Sequence, residues 1–213
     1  MPDRIQLELL DHMRDGVCPV CSLIRQRTLQ AMEGFLYESV NAPELRRMIL
    51  QAHGLCNTHS GLLFSLGDPL AHAVLYGDLL LQAIAELKQS SGCKPSVVTD
   101  DCLFCRRALC AEQQYETAFM EAYGERVFRE GYLAGGMLCV THLRHILRLK
   151  QSARQHETIL SDTLALYERL SADLRQVRRK SDYRFAAEPW TASERIAWRR
   201  AVAVVNDTAG LRK

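Results

Sequence analysis

Residues 54–59 read Gly54-Leu-Cys-Asn-Thr-His59, and residues 137–142 read Met137-Leu-Cys-Val-Thr-His142. Each segment ends in a Cys-x2-His pair, and each follows a Cys-x2-Cys pair at almost the same distance. The stretches between the pairs are residues 22–55 and 106–138, so they differ in length by one residue. The first copy carries Cys18, Cys21, Cys56 and His59, and the second carries Cys102, Cys105, Cys139 and His142. Two sets that agree this closely indicate tandem duplication of one structural unit.

Apolar residues in both copies recur at spacings of three and four, which is typical of amphipathic helices. The first copy contains the stripe Leu70, Ala73, Val74, Gly77, Leu80, Leu81, Ile84 and Leu87, and the second contains Leu160, Thr163, Leu164, Tyr167, Leu170, Leu174 and Val177. No alternating β-branched run is long enough to indicate a sheet. The sequence therefore predicts an all-α fold, with two tandem-duplicated helical units packed into one bundle-like domain plus a C-terminal helix.

Local signals place the boundaries of these units and of several helices. The predicted divisions are residues 1–92 and 93–180 for the two repeats and residues 181–213 for a C-terminal linker and helix. A helix is expected to begin at the cap Asn41 and to end near Gly54, and the segment Gly67-Asp-Pro69 marks another end and start. The segment Thr191-Ala-Ser-Glu194 has the form of a capping box that opens the last helix. In the linker, the aromatic residues Tyr183, Phe185 and Trp190 are expected to pack against the protein.

Charge and composition exclude several classes of protein. The chain has 213 residues, with 27 basic and 25 acidic residues and a net charge of +2, so no global field favours nucleic acid. The basic run from Arg175 to Lys180 is interpreted as a solvated helix end. The N-terminus lacks a signal-peptide core, and the most apolar stretch, Leu70 to Leu87, is interrupted by Asp78 and Glu86. We therefore expect a cytoplasmic protein that does not enter a membrane.

Eight cysteines in a reducing compartment call for an explanation other than disulfides, and metal binding is the first. Three thiolates and one imidazole complete a tetrahedral site, which predicts about two zinc ions per chain, with an iron–sulfur cluster as the alternative. Each Cys-x2-Cys pair is expected to open a helix, whose first N–H groups favour thiolates. The shorter loop favours a site completed within each repeat. Crossed pairing between the repeats stays open.

The remaining cysteines and histidines have simpler interpretations. Cys93 and Cys110 stand outside the repeated pattern and are interpreted as small apolar side chains. The other histidines are interpreted as surface or packed residues rather than ligands: His12, His53, His72, His145 and His156.

The motifs together resemble a family of bacterial proteins of unknown function, and the resemblance covers most of the chain. It rests on Cys18-Pro-Val-Cys21, on Gly54-Leu-Cys-Asn-Thr-His59, and on the segments Asp182-Tyr-Arg184 and Glu188-Pro-Trp190. The second copy departs from the pattern, with Leu103 in place of proline and Met137 in place of glycine. The resemblance implies a bacterial, cytoplasmic metal-binding protein, and it brings no established activity.

Two classes of function fit these residues. The first is a non-enzymatic scaffold that metal ions stabilise and that binds another protein, since no acid–base constellation accompanies the ligands. The second is a redox or sensor protein that acts through iron–sulfur clusters or released thiols. A Cys-x2-Cys oxidoreductase would need a βαβ context, and a hydrolytic zinc enzyme would need an open coordination position. The sequence indicates neither, and no catalytic residue is predicted.

Overall fold

Helices occupy nearly all of the described chain, which confirms the all-α prediction. The computed structural model describes residues 3–13, 17–39, 42–89, 102–185 and 187–206. Within these ranges it contains ten α-helices and no β-strand. They are α1 (Arg4–His12), α2 (Pro19–Gly34), α3 (Pro43–Gln51), α4 (Asn57–Leu66), α5 (Pro69–Gln89), α6 (Leu103–Ala122), α7 (Arg126–Gly135), α8 (Val140–Ile146), α9 (Ala153–Lys180) and α10 (Ala192–Asn206). A π-helical segment, Phe35–Ser39, follows α2, and a 3-10 turn, Tyr183–Phe185, follows α9.

Two compact units divide the chain at different places from the two sequence repeats. The first unit combines Met1–Leu23 with Glu112–Ala209, and the second contains the continuous segment Ile24–Ala111. The divisions fall inside α2 and α6, so each of these helices contributes to both units. The boundary expected between the repeats, at residues 92 and 93, lies outside the described residues, as does Cys93.

Helix ends follow the signals in the sequence. The expected cap Asn41 lies outside the described residues, but α3 ends close to Gly54, whose φ of 115° and whose N–H bond to Ile49 O of 2.9 Å close the turn. Gly67, with a φ of 69°, caps α4, and α5 begins at Pro69. Both glycines have a positive φ, a backbone conformation that residues with a Cβ atom adopt only with strain.

The capping box at the start of α10 is confirmed. The Thr191 N–H donates to Glu194 Oε2 at 2.8 Å, and the Glu194 N–H donates to Thr191 Oγ1 at 3.2 Å. Lys180 Nζ at the end of α9 donates to both Glu194 carboxylate oxygens at 2.8 Å. Glu194 is nearly fully buried, so this group of bonds ties the start of α10 to the end of α9.

The linker before α10 is held by Arg179 and Lys180 of the basic run at the end of α9, and Lys180 Nζ donates to Pro189 O at 2.9 Å. Arg179 Nη1 donates to Glu188 Oε1 at 2.8 Å, and its guanidinium lies 4.8 Å from the ring centroid of Phe185. Phe185 and Trp190 are half-buried. The expectation that Tyr183 packs is wrong, because 87% of it is exposed. The guanidinium groups of Arg179 and Arg184 lie over the Phe185 ring instead, and the Tyr183 ring remains in solvent.

Aromatic side chains form the centre of the first unit and fix the backbone before a candidate ligand. Phe119 packs edge-on against Tyr132, with ring centroids 5.4 Å apart. The Tyr132 hydroxyl accepts a bond from Leu138 N at 3.2 Å, and the Tyr167 hydroxyl donates to Leu138 O at 2.8 Å. Both backbone polar groups of Leu138 are therefore bound, which fixes the approach to Cys139.

The core of the second unit surrounds the helix starts that carry cysteines. Phe35 packs edge-on against Phe104 at a centroid distance of 6.0 Å, and Phe104 lies 5.9 Å from the ring of His59. Phe35 and its sequence equivalent Phe119 are both buried. The buried cluster consists of Met32, Phe35, Leu36, Ile49, Leu55, Cys56, Leu63, Ala71, Leu75, Cys102, Leu103 and Phe104. Cysteine ligand candidates are thus part of the apolar core.

The apolar stripe of α5 is largely exposed. The helix buries Ala71 and Leu75, which lie on its other side. Among the described helices, α5 is long and apolar enough to cross a membrane by length and composition, and little of it is buried. The stripe residues with the largest exposed fractions are Leu70, Leu80, Leu81 and Leu87.

We expect Thr191→Ala to lower the free energy of unfolding by about 1 kcal/mol, because it removes the side-chain acceptor of the capping box. Urea unfolding followed by circular dichroism measures the change. Thr117→Ala is the matched control, since Thr117 Oγ1 bonds to Gln113 O inside α6, and it should change stability by a few tenths of a kcal/mol. Equal effects of the two variants would contradict the role of the box.

Candidate metal centres

Each Cys-x2-Cys or Cys-x2-His pair begins a helix, as the sequence predicts. Cys56 and Cys139 are the N-cap residues of α4 and α8. Cys18 and Cys102 directly precede α2 and α6, and their carbonyl oxygens accept the first helical bonds, from Ser22 N at 3.0 Å and from Arg106 N at 3.1 Å. The unpaired N–H groups and the positive end of each helix dipole therefore lie beside the sulfur atoms, where they stabilise thiolates.

The first cluster consists of Cys18, Cys21, Cys139 and His142, all in the first unit. His142 Nδ1 lies 3.1 Å from Cys139 Sγ, 3.2 Å from Cys21 Sγ and 3.4 Å from Cys18 Sγ. The Cys21 and Cys139 sulfurs are 3.6 Å apart. All four residues are buried, so the ligand atoms face one another in a region closed to solvent.

The second cluster consists of Cys56, His59, Cys102 and Cys105, all in the second unit. His59 Nδ1 lies 3.1 Å from Cys56 Sγ, 3.3 Å from Cys105 Sγ and 3.6 Å from Cys102 Sγ. The Cys56 and Cys105 sulfurs are 3.7 Å apart. Cys105 is half-buried, and the other three residues are buried. The two clusters thus have the same ligand types and nearly the same dimensions.

These distances fit one tetrahedral ion in each cluster. Bond lengths of about 2.3 Å to sulfur and about 2.0 Å to nitrogen give tetrahedral edges of about 3.8 Å between sulfurs and about 3.5 Å between sulfur and nitrogen. The measured edges are close to these values, and the ligand atoms of each cluster all lie within 4.8 Å of one another. The eight predicted residues are therefore brought together in a form that suits a metal ion.

The expectation that each site is completed within one repeat is wrong. The structure combines the Cys-x2-Cys pair of each copy with the Cys-x2-His pair of the other copy. Loop length is a weak guide here. The sequence separation of 118 between Cys21 and Cys139 is roughly three times the separation within a repeat, and a threefold longer loop costs about 1 kcal/mol. The free energy gained by burying apolar side chains of the helices around each cluster is larger than this entropic cost of loop closure.

The protonation of the clusters shows why a cation would be favoured there. Hydrogen bonds to Cys139 and Cys18, together with burial, raise the pKa of the Cys21 thiol far above its ordinary value. Burial disfavours the charged form of His142, but its bonds to Cys139 and Cys18 outweigh burial and raise its pKa to about 11. Three neighbouring thiols therefore cannot all ionise unless a positive charge lies among them. A dication would supply that charge and displace the protons.

In the second cluster, burial and neighbouring groups act on the thiols in the same way, but they shift the pKa values less. Burial raises the pKa of Cys105 to about 12, and the charges of Cys102 and Cys56 act in the same direction. For Cys102, burial is outweighed by bonds from His59 and from backbone N–H groups, which lower its pKa to about 6. One thiol of this cluster thus ionises readily, while its neighbour retains its proton.

Three further residues that sequence reasoning missed adjoin the first cluster. His142 Nε2 lies 2.8 Å from Glu112 Oε1, so with Nδ1 facing the sulfurs the imidazole donates its proton to this carboxylate. His145 Nδ1 lies 2.9 Å from Glu116 Oε1, and both glutamates are buried. Glu112, Glu116 and His145 also lie close enough together to hold a cation. A carboxylate behind a ligating histidine fixes its tautomer and raises its basicity.

The second cluster lacks this support among the described residues. His59 Nε2 is buried and has no hydrogen-bond partner there. Counting from the first cysteine of each Cys-x2-Cys pair, Glu112 and Glu116 correspond to Thr28 and Met32, which are buried as well. In the sequence, this support was indicated by two glutamates four residues apart on α6, at positions that are uncharged in the other copy.

The other cysteine and histidine interpretations have mixed outcomes. Cys110 is exposed, so its interpretation as a packed apolar side chain is wrong. It lies five residues after Cys105 on α6, which places it on a different face of the helix. His12, His53, His72 and His156 lie outside both clusters, and His145 belongs to the glutamate group described above.

Comparison with known proteins confirms the resemblance to a family of unknown function that the motifs indicate. The model of a family of unknown function (DUF6062) matches residues 5–98 and 94–210. The chain belongs to this family. An uncharacterised 23.9 kDa protein in the xynA 3' region of Caldicellulosiruptor sp. (strain Rt8B.4) is 29% identical over 209 residues, which cover 94% of this chain and 100% of that protein. No solved structure matches the chain.

Double substitutions test the crossed pairing in this DUF6062 protein. Cys21→Ser with Cys139→Ser changes one cluster, so it should remove about one of two bound zinc ions, whereas Cys21→Ser with Cys56→Ser should remove both. Zinc per chain by elemental analysis, with circular dichroism as the folding control, distinguishes the two results. The opposite outcome, with one ion lost from Cys21/Cys56 and two from Cys21/Cys139, would restore pairing within the repeats.

Glu112→Gln should weaken metal retention by the first cluster about tenfold or more and leave the second unchanged, because the amide is a weaker acceptor for the His142 N–H. Stopped-flow transfer of zinc to a chromogenic chelator resolves the two ions by rate. Thr28→Val, at the equivalent buried position of the other copy, is the matched control and should leave both rates unchanged. Equal acceleration of both ions by Glu112→Gln would contradict a local effect.

Proposed function

We propose that this protein is a helical scaffold stabilised by two structural zinc ions, one in each Cys3His cluster, and that it acts by binding another protein. The observation that carries the proposal is that four protein ligands point at one centre in each unit. A closed tetrahedron leaves no position for a substrate or for a reactive water, which favours a structural ion over a catalytic one.

The positions of the ligands explain how an ion would stabilise the fold. Each cluster joins the starts of two helices, α2 with α8 in the first unit and α4 with α6 in the second. An ion bound there would fix the crossing of two helices whose ends otherwise bring together ionisable thiols. The free energy of metal binding would then be free energy of folding.

The dimensions of the clusters favour zinc over an iron–sulfur cluster. Several iron and sulfide atoms must lie between the cysteine ligands of such a cluster, which requires sulfurs well apart. Sulfur separations of 3.6 Å and 3.7 Å suit a single ion instead. All seven described cysteines are free thiols, as expected of a protein in a reducing compartment such as the cytoplasm.

We expect the protein, purified without chelator, to hold about two zinc ions per chain and to be colourless. A strong chelator should remove both ions with a loss of helical signal, and acidification should do the same, because protons and the ion compete for the thiols. Elemental analysis, an absorption spectrum under anaerobic conditions and circular dichroism measure the three properties.

The matched variant pair for this experiment is Cys139→Ser and Cys110→Ser. The first removes a buried ligand, so it should release about one ion and lower the melting temperature by several degrees. The second removes an exposed thiol outside the clusters and should change neither quantity. Fully reduced, folded protein without metal would refute the proposal, and a coloured, iron-containing protein would replace it with the redox or sensor function.

A further inference from the structure

One exposed face of α5 has the periodicity of a coiled coil. The positions follow one another at intervals of three and four residues over two and a half heptads, and all of them are exposed. The six residues that we call the α5 face are Leu70, Ala73, Gly77, Leu80, Ile84 and Leu87. The exposed fractions of its three leucines are 75% for Leu70, 62% for Leu80 and 67% for Leu87. Such a row of apolar groups along one helix is unusual at a surface that stays in water.

The equivalent face of α9 shows that the fold does not require this row. Helix α9, which follows the Cys-x2-His helix of the second copy as α5 follows that of the first, buries Ile159, Thr163, Leu166 and Leu170. The exposed positions on its opposite side are mostly polar: Glu157, Ser161, Leu164, Glu168, Ser171 and Arg175. The outward side of α9 thus carries one large apolar residue in such a row, whereas the α5 face is apolar throughout.

Gly77 gives a second, independent sign that another backbone approaches this face. A glycine within a helix lowers its stability relative to alanine. Among the described residues nothing explains it, because a Cβ atom at Gly77 would meet no heavy atom within 4 Å and its φ is not in the left-handed region. A glycine at the middle of an apolar row is what close helix–helix packing needs.

We propose that the α5 face is a homodimer interface, in which α5 of a second copy packs antiparallel about a two-fold axis between Gly77 and Leu80. An isologous interface requires one surface to complement itself. In this register Gly77 faces Leu80 of the second copy, and Ala73 faces its Ile84. Each small residue thus packs against a large one, and the two-fold axis repeats both contacts, which gives four in all.

Charge and the neighbouring groove support the same arrangement. The acidic residues within the helix, Asp78 and Glu86, are partnered in their own chain by Arg46 and by Gln82, so the α5 face itself is uncharged. In the antiparallel pair, Lys88 near the end of α5 lies beside Asp68 of the second copy, which directly precedes the start of α5 there. Opposite charges therefore meet in the antiparallel pair and separate in a parallel one.

A groove of about 810 Å³ adjoins the first half of α5 and extends the contact beyond the helix pair. Its apolar lining includes Phe64, Ala73 and Tyr76. The antiparallel register brings Ile84 and Leu87 of the second copy over this groove. The helix has one lysine in its last turn and acidic or amide groups on its polar side, whereas helices that lie on membranes are rich in basic residues there.

The proposal goes beyond the proposed function, because the α5 face lies apart from the metal ligands and its test does not depend on zinc. We expect multi-angle light scattering and sedimentation of the full, metal-loaded chain to give twice its 24.2 kDa mass at tens of micromolar. Leu80→Glu should give the monomer mass, while zinc content and helical signal stay unchanged. Leu109→Glu, at an exposed apolar position on α6, is the matched control and should remain dimeric.

Gly77→Leu is the sharper variant, because the monomer has space for the new side chain and the dimer has none. We expect a monomer whose melting temperature is at least that of a monomeric Leu80→Glu protein. A zero-length carbodiimide cross-link between Lys88 and Asp68 of the second copy, identified by mass spectrometry, would support the antiparallel orientation. A monomeric wild-type chain, a dimer that survives both Leu80→Glu and Gly77→Leu, or a monomer that binds phosphatidylserine vesicles through α5 would overturn the proposal.

Discussion

Mutual repulsion and desolvation of thiolates set the main constraint on this protein. Three sulfur atoms and one imidazole nitrogen converge in each unit at distances of 3.1–3.7 Å, in surroundings that are largely closed to water. Burial alone would keep such thiols protonated, and neighbouring thiolates raise one another's pKa. Helix N-termini offset part of both costs, and a cation bound at the centre would offset the rest. Each ligand pair lies at a helix start for this reason, and the cores form around those starts.

The sequence allowed the fold class and the candidate ligands to be predicted because both depend on local spacing. Intervals of three and four residues indicated helices, Gly67 and Pro69 marked an end and a start, and the Thr191–Glu194 box opened α10 where expected. The four pairs of candidate ligands were visible for the same reason, since a pair at the start of one helix is defined by a short interval.

Three features could not be predicted, because they depend on residues far apart in the chain. They are the combination of the ligand pairs, the carboxylate behind His142 and the exposure of α5. The crossed combination of Cys21 with Cys139 differs from the expected one by about 1 kcal/mol of loop entropy, which gives no guidance against packing. The bond between Glu112 and His142 joins two helices whose relation no interval in the sequence records. Likewise, the stripe of α5 had the right period for a core, but a period does not say what covers a helix.

Because the ligands of the two units lie at different places along the chain, the two clusters become complete at different times during synthesis. The continuous segment Ile24–Ala111 of the second unit contains both pairs of its cluster. During synthesis on the ribosome, this inner segment has all its ligands once Cys105 has emerged. The first unit cannot enclose its first two thiols, Cys18 and Cys21, until Cys139 and His142 have been translated. The oldest thiols of the nascent chain are thus the last to be enclosed, and they are exposed longest to oxidants and to competing metals.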